Sequence, residues 1–224
     1  MPTTTWERLA PERRERVVEA AMREFGRQGY SAGSLNIIAR EAGVAKGSLF
    51  QYFEDKLDFF TAVAELAAQR IQAAMAPWVA PIPADRSYYE YLSDGVVAWV
   101  QWFGEHPVER GLVAATHLEI DPVVRERVHR PARRVYASAV RGLVEQARTR
   151  GDAFHDDADV DAFTSLVSLL LPHLALAPFE PGFDTLLALY GCPPDERERR
   201  VRRLVHSLYA GFGPAPSDRA RSHR

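Results

Sequence analysis

Apolar residues recur along most of this chain at every third or fourth position, which is the spacing of an amphipathic α-helix. The first clear example runs from Val17 to Phe25, where arginines and glutamates occupy the other positions. We expect this helix to begin near Pro11, which the first turn of a helix tolerates, and to end at Gly26 and Gly29. Strand-like alternation is scarce. The pattern therefore predicts an all-α fold of about nine helices.

Two short helices are predicted directly after the first one. Ser34 can cap the earlier of the two and Gly43 ends it, and the second covers residues 46–53. A longer helix is expected from Lys56 to about residue 75. Two short helices joined by a glycine turn predict an N-terminal domain over residues 1–60.

The amino-acid composition changes at "APWVAPIPAD", where three prolines indicate a connector between helices. Further helices are predicted at residues 88–104, up to His117, from Asp121-Pro122 to Arg150, and in the segments "DADVDAFTSLVSLLL" and "DERERRVRRLVHSLYAGF". Pro131 is expected to kink or split the long helix that ends at Arg150. We expect a larger helical domain over residues 61–213, followed by a disordered, Pro-rich tail over residues 214–224.

Composition narrows the class of protein further. The 224 residues carry a formal net charge of −2, so no global basicity indicates a nucleic-acid partner, although a local basic face is compatible with that sum. The single cysteine, Cys192, excludes an internal disulfide and argues against a Cys-rich metal site. We see no secretion signal and no apolar run long enough to span a bilayer. A cytoplasmic protein without a metal, a cofactor or a membrane partner is expected.

The segment "SLNIIAREAGVAKGSLFQYFEDK" carries the strongest functional pattern. Helical spacing places Leu49 and Phe53 on an inner face, while Gly47 and Gln51 point outward. Two helices joined by a turn in which Gly43 is free to adopt a left-handed conformation form a helix-turn-helix, whose second helix enters the DNA major groove. A glycine allows close approach of the backbone, glutamine can pair with adenine, and a lysine such as Lys46 can pair with guanine or a phosphate.

Residues from about Arg13 to Phe60 resemble the DNA-binding domain of the tetracycline-repressor (TetR) family of transcriptional regulators. The pieces that carry the resemblance are "AAMREFGRQGY" and the segment quoted above, in which the hydroxyl residue, Ile-Ala, Ala-Gly-Val, the small pair, the aromatic residues and the final lysine all agree in spacing. The resemblance implies DNA contacts from these residues: Ser34, Asn36, Lys46, Gly47, Ser48, Phe50, Gln51, Tyr52 and Lys56. Among them, Ser34 would hold a phosphate with its hydroxyl and N–H, and Lys56 would bind another.

One residue departs from the family pattern, and the charge count adds a second qualification. Phe50 stands where the family commonly has a tyrosine whose hydroxyl reaches a phosphate, so one contact with the DNA backbone is expected to be weaker by about 0.5–1.5 kcal/mol.

Residues 1–60 hold nine Lys or Arg and nine Asp or Glu, so a positive face must come from segregation of charge. We therefore expect few phosphate contacts per subunit and tight binding only as a dimer. Alternatives remain that Lys46 and Lys56 are solvated and that Tyr52 is packed.

The resemblance also implies that the larger domain binds a small effector and forms the dimer. Aromatic and histidine side chains are dense there and could line a pocket for an apolar or aromatic effector, namely Trp99, Trp102, Phe103, His106, His117, Tyr136 and His173. The alternative is that these rings fill the core, with His106 capping a helix. Two apolar stripes could pair with their symmetry mates in a four-helix bundle, namely Phe163, Val167 and Leu170, and Val201, Leu204, Val205 and Leu208. The alternative is packing within one subunit.

The sequence thus predicts a homodimeric regulator, a repressor, that binds a palindromic double-stranded DNA operator and is released by a small apolar or aromatic effector. The alternative is a DNA-binding or protein-recruiting scaffold of the same fold with no effector. We do not expect an enzyme. The best catalytic candidates, His117 in "HLEID", His155 in "HDDADVD" and Cys192, lack the spacing of a helical zinc site or of a nucleophile motif.

Overall fold

The computed structural model describes residues 3–151 and 153–214, and the part of the predicted tail that begins at residue 215 lies outside them. Within these ranges all regular secondary structure is helical, with no strand, which confirms the predicted all-α class. The helices are α1 (Thr4–Glu7), α2 (Pro11–Ala32), α3 (Leu35–Ala42), α4 (Lys46–Tyr52), α5 (Lys56–Met75), α6 (Tyr88–Glu105), α7 (Pro107–His117), α8 (Pro122–Val124), α9 (Arg130–Arg150), α10 (Val160–Leu176) and α11 (Pro194–Ala210).

These residues form two compact units. The first unit contains the described residues up to Ala73 together with His106–Arg133, and the second contains Ala74–Glu105 and the described residues from Arg134 onward. The predicted boundary after residue 60 falls inside α5, whose first part packs with α2, α3 and α4 in the first unit. The division into domains at residues 60 and 213 stays a prediction. None of the described helices is long and apolar enough to cross a membrane.

Aromatic side chains form the core of the first unit. Phe53 stacks on Phe59 with ring centres 4.3 Å apart, and Phe25 meets Phe59 and Phe60 edge to face. All four rings are at most 2% exposed. Because a fully buried phenylalanine contributes roughly 1.5–3 kcal/mol, this cluster gives the short helices α3 and α4 a firm support. The outward face of α4 is therefore held in place from behind.

Gly26 does not end a helix, contrary to the prediction. Helix α2 continues to Ala32, with a local break only at Gly29, where φ is 71°. A Cβ on Gly26 would lie 3.2 Å from the backbone of Gly111 in α7, and a Cβ on Gly111 would lie 2.9 Å from the carbonyl oxygen of Gly26. The two glycines therefore let the backbones of α2 and α7 approach closely within the first unit.

The short helix α1 was absent from the sequence-based prediction. Trp6 is 7% exposed and packs on Tyr52 and Phe53, with ring centres 5.6 and 4.9 Å away. The N–H of Thr3 donates to the carbonyl oxygen of Tyr52 at 3.0 Å, and its hydroxyl donates to the carbonyl oxygen of Gln51 at 2.6 Å. The N-terminal segment thus covers the C-terminal end of α4.

In the second unit, α6 packs against α10 and α11. Asp94 on α6 forms ion pairs with Arg86 and, at 2.6 Å, with Arg202 on α11. The charge-assisted hydrogen bond from Arg202 joins α11 to α6.

The helical run from Pro122 to Arg150 widens before Pro131 instead of ending there. Residues Arg125–His129 form a π-helical turn between α8 and α9. Proline has no N–H to donate, and its ring clashes with the carbonyl four residues earlier, so a wider turn accommodates it without a break. The distortion that the structure shows is this π turn, and a kink at Pro131 stays a prediction.

Candidate nucleic-acid interface

The turn between α3 and α4 has the geometry that the sequence predicts. Gly43 has φ 67° and ψ 38°, a left-handed conformation that favours glycine. Its N–H donates to the carbonyl oxygen of Arg40 at 3.2 Å, and the N–H of Val44 donates to that of Ala39 at 2.9 Å. These bonds close the end of α3 and fix the direction in which α4 leaves.

Helix α4 divides into a buried and an exposed face. Leu49 and Phe53 lie in the core of the first unit, as predicted. The opposite face brings together most of the residues that the resemblance implies for DNA contact: Lys46, Gly47, Phe50 and Gln51, all exposed, and the half-buried Ser48. The ring of Phe50 is 51% exposed although it is large and apolar. A short helix therefore presents a contiguous polar and aromatic surface.

The ring of Tyr52 does not belong to this surface, and its DNA contact stays a prediction. Its side chain is 4% exposed and lies against Trp6, which α1 places over it. A ring enclosed in this way has no face to offer to a nucleic acid. The alternative that Tyr52 is packed is the one that its position fits.

Gly47 has no packing reason inside the protein. A Cβ built on it meets no atom within 4 Å, and its φ does not lie in the left-handed region. Glycine in a helix costs about 0.5–1 kcal/mol relative to alanine. Neither the packing of the described residues nor the backbone conformation therefore accounts for a glycine at this position.

The N-terminal end of α3 is already occupied by a carboxylate. The hydroxyl of Ser34 accepts the N–H of Ile37 at 3.5 Å, which confirms the predicted cap. The N–H of Ser34 donates at 2.9 Å to Oε1 of Glu24, which is 7% exposed. A phosphate could therefore receive the hydroxyl proton of Ser34 but not its N–H. Asn36, one position into the helix, is exposed.

The ammonium group of Lys56 is directed at other residues of the same chain. Its Nζ donates to the carbonyl oxygen of Ser31 at 3.1 Å and lies 4.9 Å from the ring centre of Tyr30. Partial burial lowers the pKa of Lys56, while the carboxylates of Glu119 and Glu24 act in the opposite direction. These contacts compete with the phosphate contact that the resemblance implies.

The sequence-based prediction missed Glu24 and Glu119. Both are buried carboxylates of the first unit. Oε1 of Glu119 accepts the N–H groups of Ile120 and Asp121 at 2.9 and 3.0 Å and lies 3.5 Å from the hydroxyl of Ser31. A glutamate in a polar helix or turn has no sequence signal that distinguishes it from a solvated one.

Five of the seven predicted effector residues lie in the second unit: Trp99, Trp102, Phe103, Tyr136 and His173. Trp99 and Phe103 are buried core residues, and the indole N–H of Trp99 donates to the carbonyl oxygen of Leu171 at 2.8 Å. Burial raises the pKa of Tyr136 to about 12, and its ring meets Trp99 edge to face at 5.5 Å. Core packing accounts for these three rings. An open cavity of about 200 Å³ in the same unit has other lining residues, among them Phe154 and His155.

The remaining two, His106 and His117, belong to the first unit. His106 occupies the N-cap position of α7, without a side-chain hydrogen bond to the backbone of that helix. Nδ1 of His117 lies 3.4 Å from Nε2 of His129. Among residues 3–151 and 153–214, no group of three or more His, Cys, Asp or Glu side chains could hold a metal ion.

The predicted dimer stripes face mostly inward. Phe163 and Val167 on α10, and Val201 and Val205 on α11, are at most 4% exposed and lie in the core of their own subunit. This corrects their assignment to a subunit interface, because side chains that are buried within one subunit cannot contact another. Leu170, Leu204 and Leu208 are half-buried. The exposed apolar residues of α10 are instead Leu166 and Leu169, at 40% and 58%.

Two short helices turned by a left-handed glycine, braced from behind and exposing a polar face, define a helix-turn-helix domain. Residues 17–63 match the family described as bacterial regulatory proteins, tetR family. Residues 17–63 therefore form a helix-turn-helix domain of the tetR-family type.

Curated relatives agree over the same region. The chain is 37% identical over 76 residues to the HTH-type transcriptional regulator AcrR of Shigella flexneri, which covers 34% of this chain and 35% of AcrR. It is 43% identical over 54 residues to the HTH-type transcriptional regulator SrpR of Pseudomonas putida, or 24% of this chain and 25% of SrpR. The chain thus spans about a third or less of the length of these relatives, which are regulators and not enzymes by their descriptions.

Solved structures extend the likeness of fold to nearly the whole chain. A TetR family transcriptional regulator from Chloroflexus aurantiacus has a TM-score of 0.65 at 22% identity, over 96% of this chain and 100% of that one. TylP, a TetR regulator from Streptomyces fradiae, has a TM-score of 0.60 at 23% identity, over 94% and 90%. At these identities the likeness establishes the fold.

Proposed function

We propose that this protein is a sequence-specific DNA-binding regulator of transcription that acts as a repressor. The observation that carries the proposal is Gly47, a helical glycine on an exposed face that nothing inside the protein requires. A nearby DNA backbone would explain it, because the absent side chain lets α4 sit deeper in the major groove. The exposed Lys46 and Gln51 flank this position with the groups that read guanine and adenine.

The remaining contacts follow from exposure. Asn36 and the hydroxyl of Ser34 are available at the start of α3 for hydrogen bonds to phosphates. The exposed ring of Phe50 suits apolar contact with a thymine methyl group or a sugar. With Lys46 as the foremost cation on α4, each subunit makes few ionic contacts. A single subunit would therefore bind weakly.

A homodimer on a palindromic operator overcomes this weakness. Two recognition helices about 34–36 Å apart enter successive major grooves of one DNA face. The exposed Leu166 and Leu169 on α10 offer apolar surface for a second copy of the chain.

A small apolar or aromatic effector would favour a conformer in which α5 changes the separation of the two α4 helices. The repressor AcnR of Corynebacterium diphtheriae, 29% identical over half of both chains, supports repression.

The second candidate function is a scaffold of the same fold that responds to no effector. The burial of Trp99 and Phe103 favours it, since these rings already have a role in the core. A small molecule that co-purifies with the protein in native mass spectrometry would favour the sensor. The cytoplasmic location stays a prediction.

Selection of duplex DNA from a random pool by the purified chain tests the proposal. We expect an enriched inverted repeat with half-sites about one helical turn apart. The variant Gln51→Ala should then relax preference at one or two base pairs per half-site, at a cost of about 1–3 kcal/mol. No enrichment, or enrichment without an inverted repeat, would contradict the proposed function.

A further inference from the structure

Arg70, in the last part of α5, joins three helices of the first unit. Its Nη1 donates to Oε1 of Glu109 on α7 at 3.0 Å, and its Nη2 lies 2.9 Å from Oε1 of both Glu15 and Glu19 on α2. A guanidinium can make these contacts together because its N–H groups form a planar fork, which a lysine lacks. Arg70 therefore links α5 to α2 and to α7 at one level of the unit.

The contact with Glu109 is the one most shielded from water. The side chain of Glu109 is 8% exposed, whereas those of Glu15 and Glu19 are 62% and 30% exposed. Exposed ion pairs contribute little to stability, but a carboxylate enclosed by protein is strongly destabilising when its cation is removed. Glu109 therefore holds the guanidinium of Arg70 in place, and the two outer glutamates join it to α2.

Helices α2 and α7 also meet at a second level. A Cβ on Gly26 would lie 3.2 Å from the backbone of Gly111, so the two helix backbones are in close contact there. Closely packed protein transmits a displacement instead of absorbing it. Two separate contacts along α7, at Gly111 and through Arg70, oppose both sliding and rotation of α7 on α2.

Arg70 and Glu109 lie next to the places where the chain passes between the two units. The chain leaves the first unit after Ala73, within one helical turn of Arg70. It returns at His106, within one helical turn of Glu109. The ion pair thus joins two chain segments that each lead directly into the second unit.

We propose that Arg70 is a positioning residue for operator binding, which sets the direction of α4 relative to α5 by joining α5 to α2 and α7. This inference rests on the proposed DNA-binding function. Helix α2 supports α3 and α4 through the shared aromatic core, and α5 continues from that core into the second unit. With Arg70 in place, each recognition helix keeps one angle to α5, and a dimer selects one spacing of half-sites. Without Arg70, α5 rotates on α2 through a wider range, and that selection becomes less strict.

The test compares the affinities of the full chain for operators that differ only in the spacing of their half-sites. The selected inverted repeat is shortened or lengthened by one base pair, and each duplex is titrated with the wild-type chain, Arg70→Met and Arg70→Lys. The wild-type chain should prefer the selected spacing by at least about tenfold, because one base pair rotates the second half-site about the DNA axis. Arg70→Met should bind the selected operator about 3- to 10-fold more weakly and keep less than about a third of that preference. Arg70→Lys should lie between the two, since one ammonium replaces the fork.

The preference among spacings separates positioning from folding. A variant that is only less stable loses active protein for every operator alike, so its ratio of affinities stays that of the wild-type chain. Arg130→Met is the matched control, because Arg130 is an exposed arginine of the same unit whose ion pair with Glu126 lies within one helical run. It should leave the ratio unchanged. An unchanged ratio in Arg70→Met would overturn the inference.

Melting temperatures test the junction itself. The double variant Arg70→Met/Glu109→Gln should melt at a higher temperature than Arg70→Met, because it no longer buries an unpaired carboxylate. It should still show the weakened preference, since the link from α5 to Glu15 and Glu19 remains absent. Additive changes in melting temperature would contradict the pairing of Arg70 with Glu109. A wild-type chain that selects no inverted repeat would refute the proposed function, whereas the inference alone fails when Arg70→Met prefers the selected spacing as strongly as the wild-type chain.

Discussion

The substitution Gly47→Ala separates a requirement of the fold from a requirement of binding. In the free protein the added Cβ meets no atom within 4 Å, and the backbone of α4 at this position is helical. Alanine is favoured over glycine in a helix by about 0.5–1 kcal/mol. We therefore expect a higher free energy of unfolding and a melting temperature raised by about 1–4 °C.

The same methyl group should weaken operator binding. If α4 lies in the major groove with Gly47 against the DNA, the helix and the DNA must move apart to make room for the new methyl group. This costs about 1–3 kcal/mol per half-site. This corresponds to an affinity lower by about 5- to 150-fold for each half-site. Stability and binding would thus change in opposite directions, which a simple folding defect cannot produce.

Thermal unfolding followed by circular dichroism and titration of the selected operator provide the two readouts. Gly142→Ala is the matched control, because Gly142 is also an exposed helical glycine, in α9, whose Cβ would meet nothing within 4 Å. It should raise stability by a similar amount and leave operator binding unchanged. Unaltered binding by Gly47→Ala would refute the close approach of α4 to DNA.

Three further outcomes follow from single contacts. Phe50→Tyr should raise operator affinity by about 2- to 10-fold, because a hydroxyl on this exposed ring can reach a phosphate, and unchanged affinity in titration would place the ring away from the DNA backbone. Trp6→Ala should lower the free energy of unfolding by about 3–5 kcal/mol in urea denaturation, since the indole fills the space beside Tyr52, and a smaller loss would mean that α1 is loosely attached. Burial disfavours the charged form of Asp94, but hydrogen bonds from arginines, Arg202 foremost, outweigh it and hold the pKa of Asp94 below its usual range. The stability that Asp94 contributes should therefore be present above about pH 4 and be lost as the pH falls through its lowered pKa, and Asp94→Asn should remove this part of the pH dependence of denaturant unfolding.

The local features of the helix-turn-helix could be predicted because their causes lie within a few residues. Gly43 adopts the left-handed conformation that a tight helix end demands, and Ser34 caps α3. The prediction that Leu49 and Phe53 face the core was correct for the same reason, since helical spacing alone assigns them to the inner side. Tyr52 could not be assigned in this way, because the side chain that buries it, Trp6, belongs to a separate helix.

Features that depend on distant contacts were predicted poorly. Gly26 resembled a helix end. A glycine is needed there because the backbone of Gly111, far along the chain, lies close to it. On α10, apolar residues occupy most of the positions and lie on more than one face, so periodicity identifies residues that share a face but not what covers that face. The inward stripe through Phe163 was therefore mistaken for the interface, and the outward leucines at 166 and 169 were left unassigned.

The charge count over residues 1–60 is a further prediction that depends on distant contacts. Residues 1–60 hold equal numbers of acidic and basic side chains, which predicts a weak attraction to DNA. The count treats every charge as exposed, but Glu24 and Asp58 are buried and hydrogen-bonded to backbone N–H groups. Lys46, by contrast, stands exposed on α4. These two acids therefore place no carboxylate on the exposed face of α4, and the sequence could not show this because burial of a glutamate depends on contacts that only the folded chain creates.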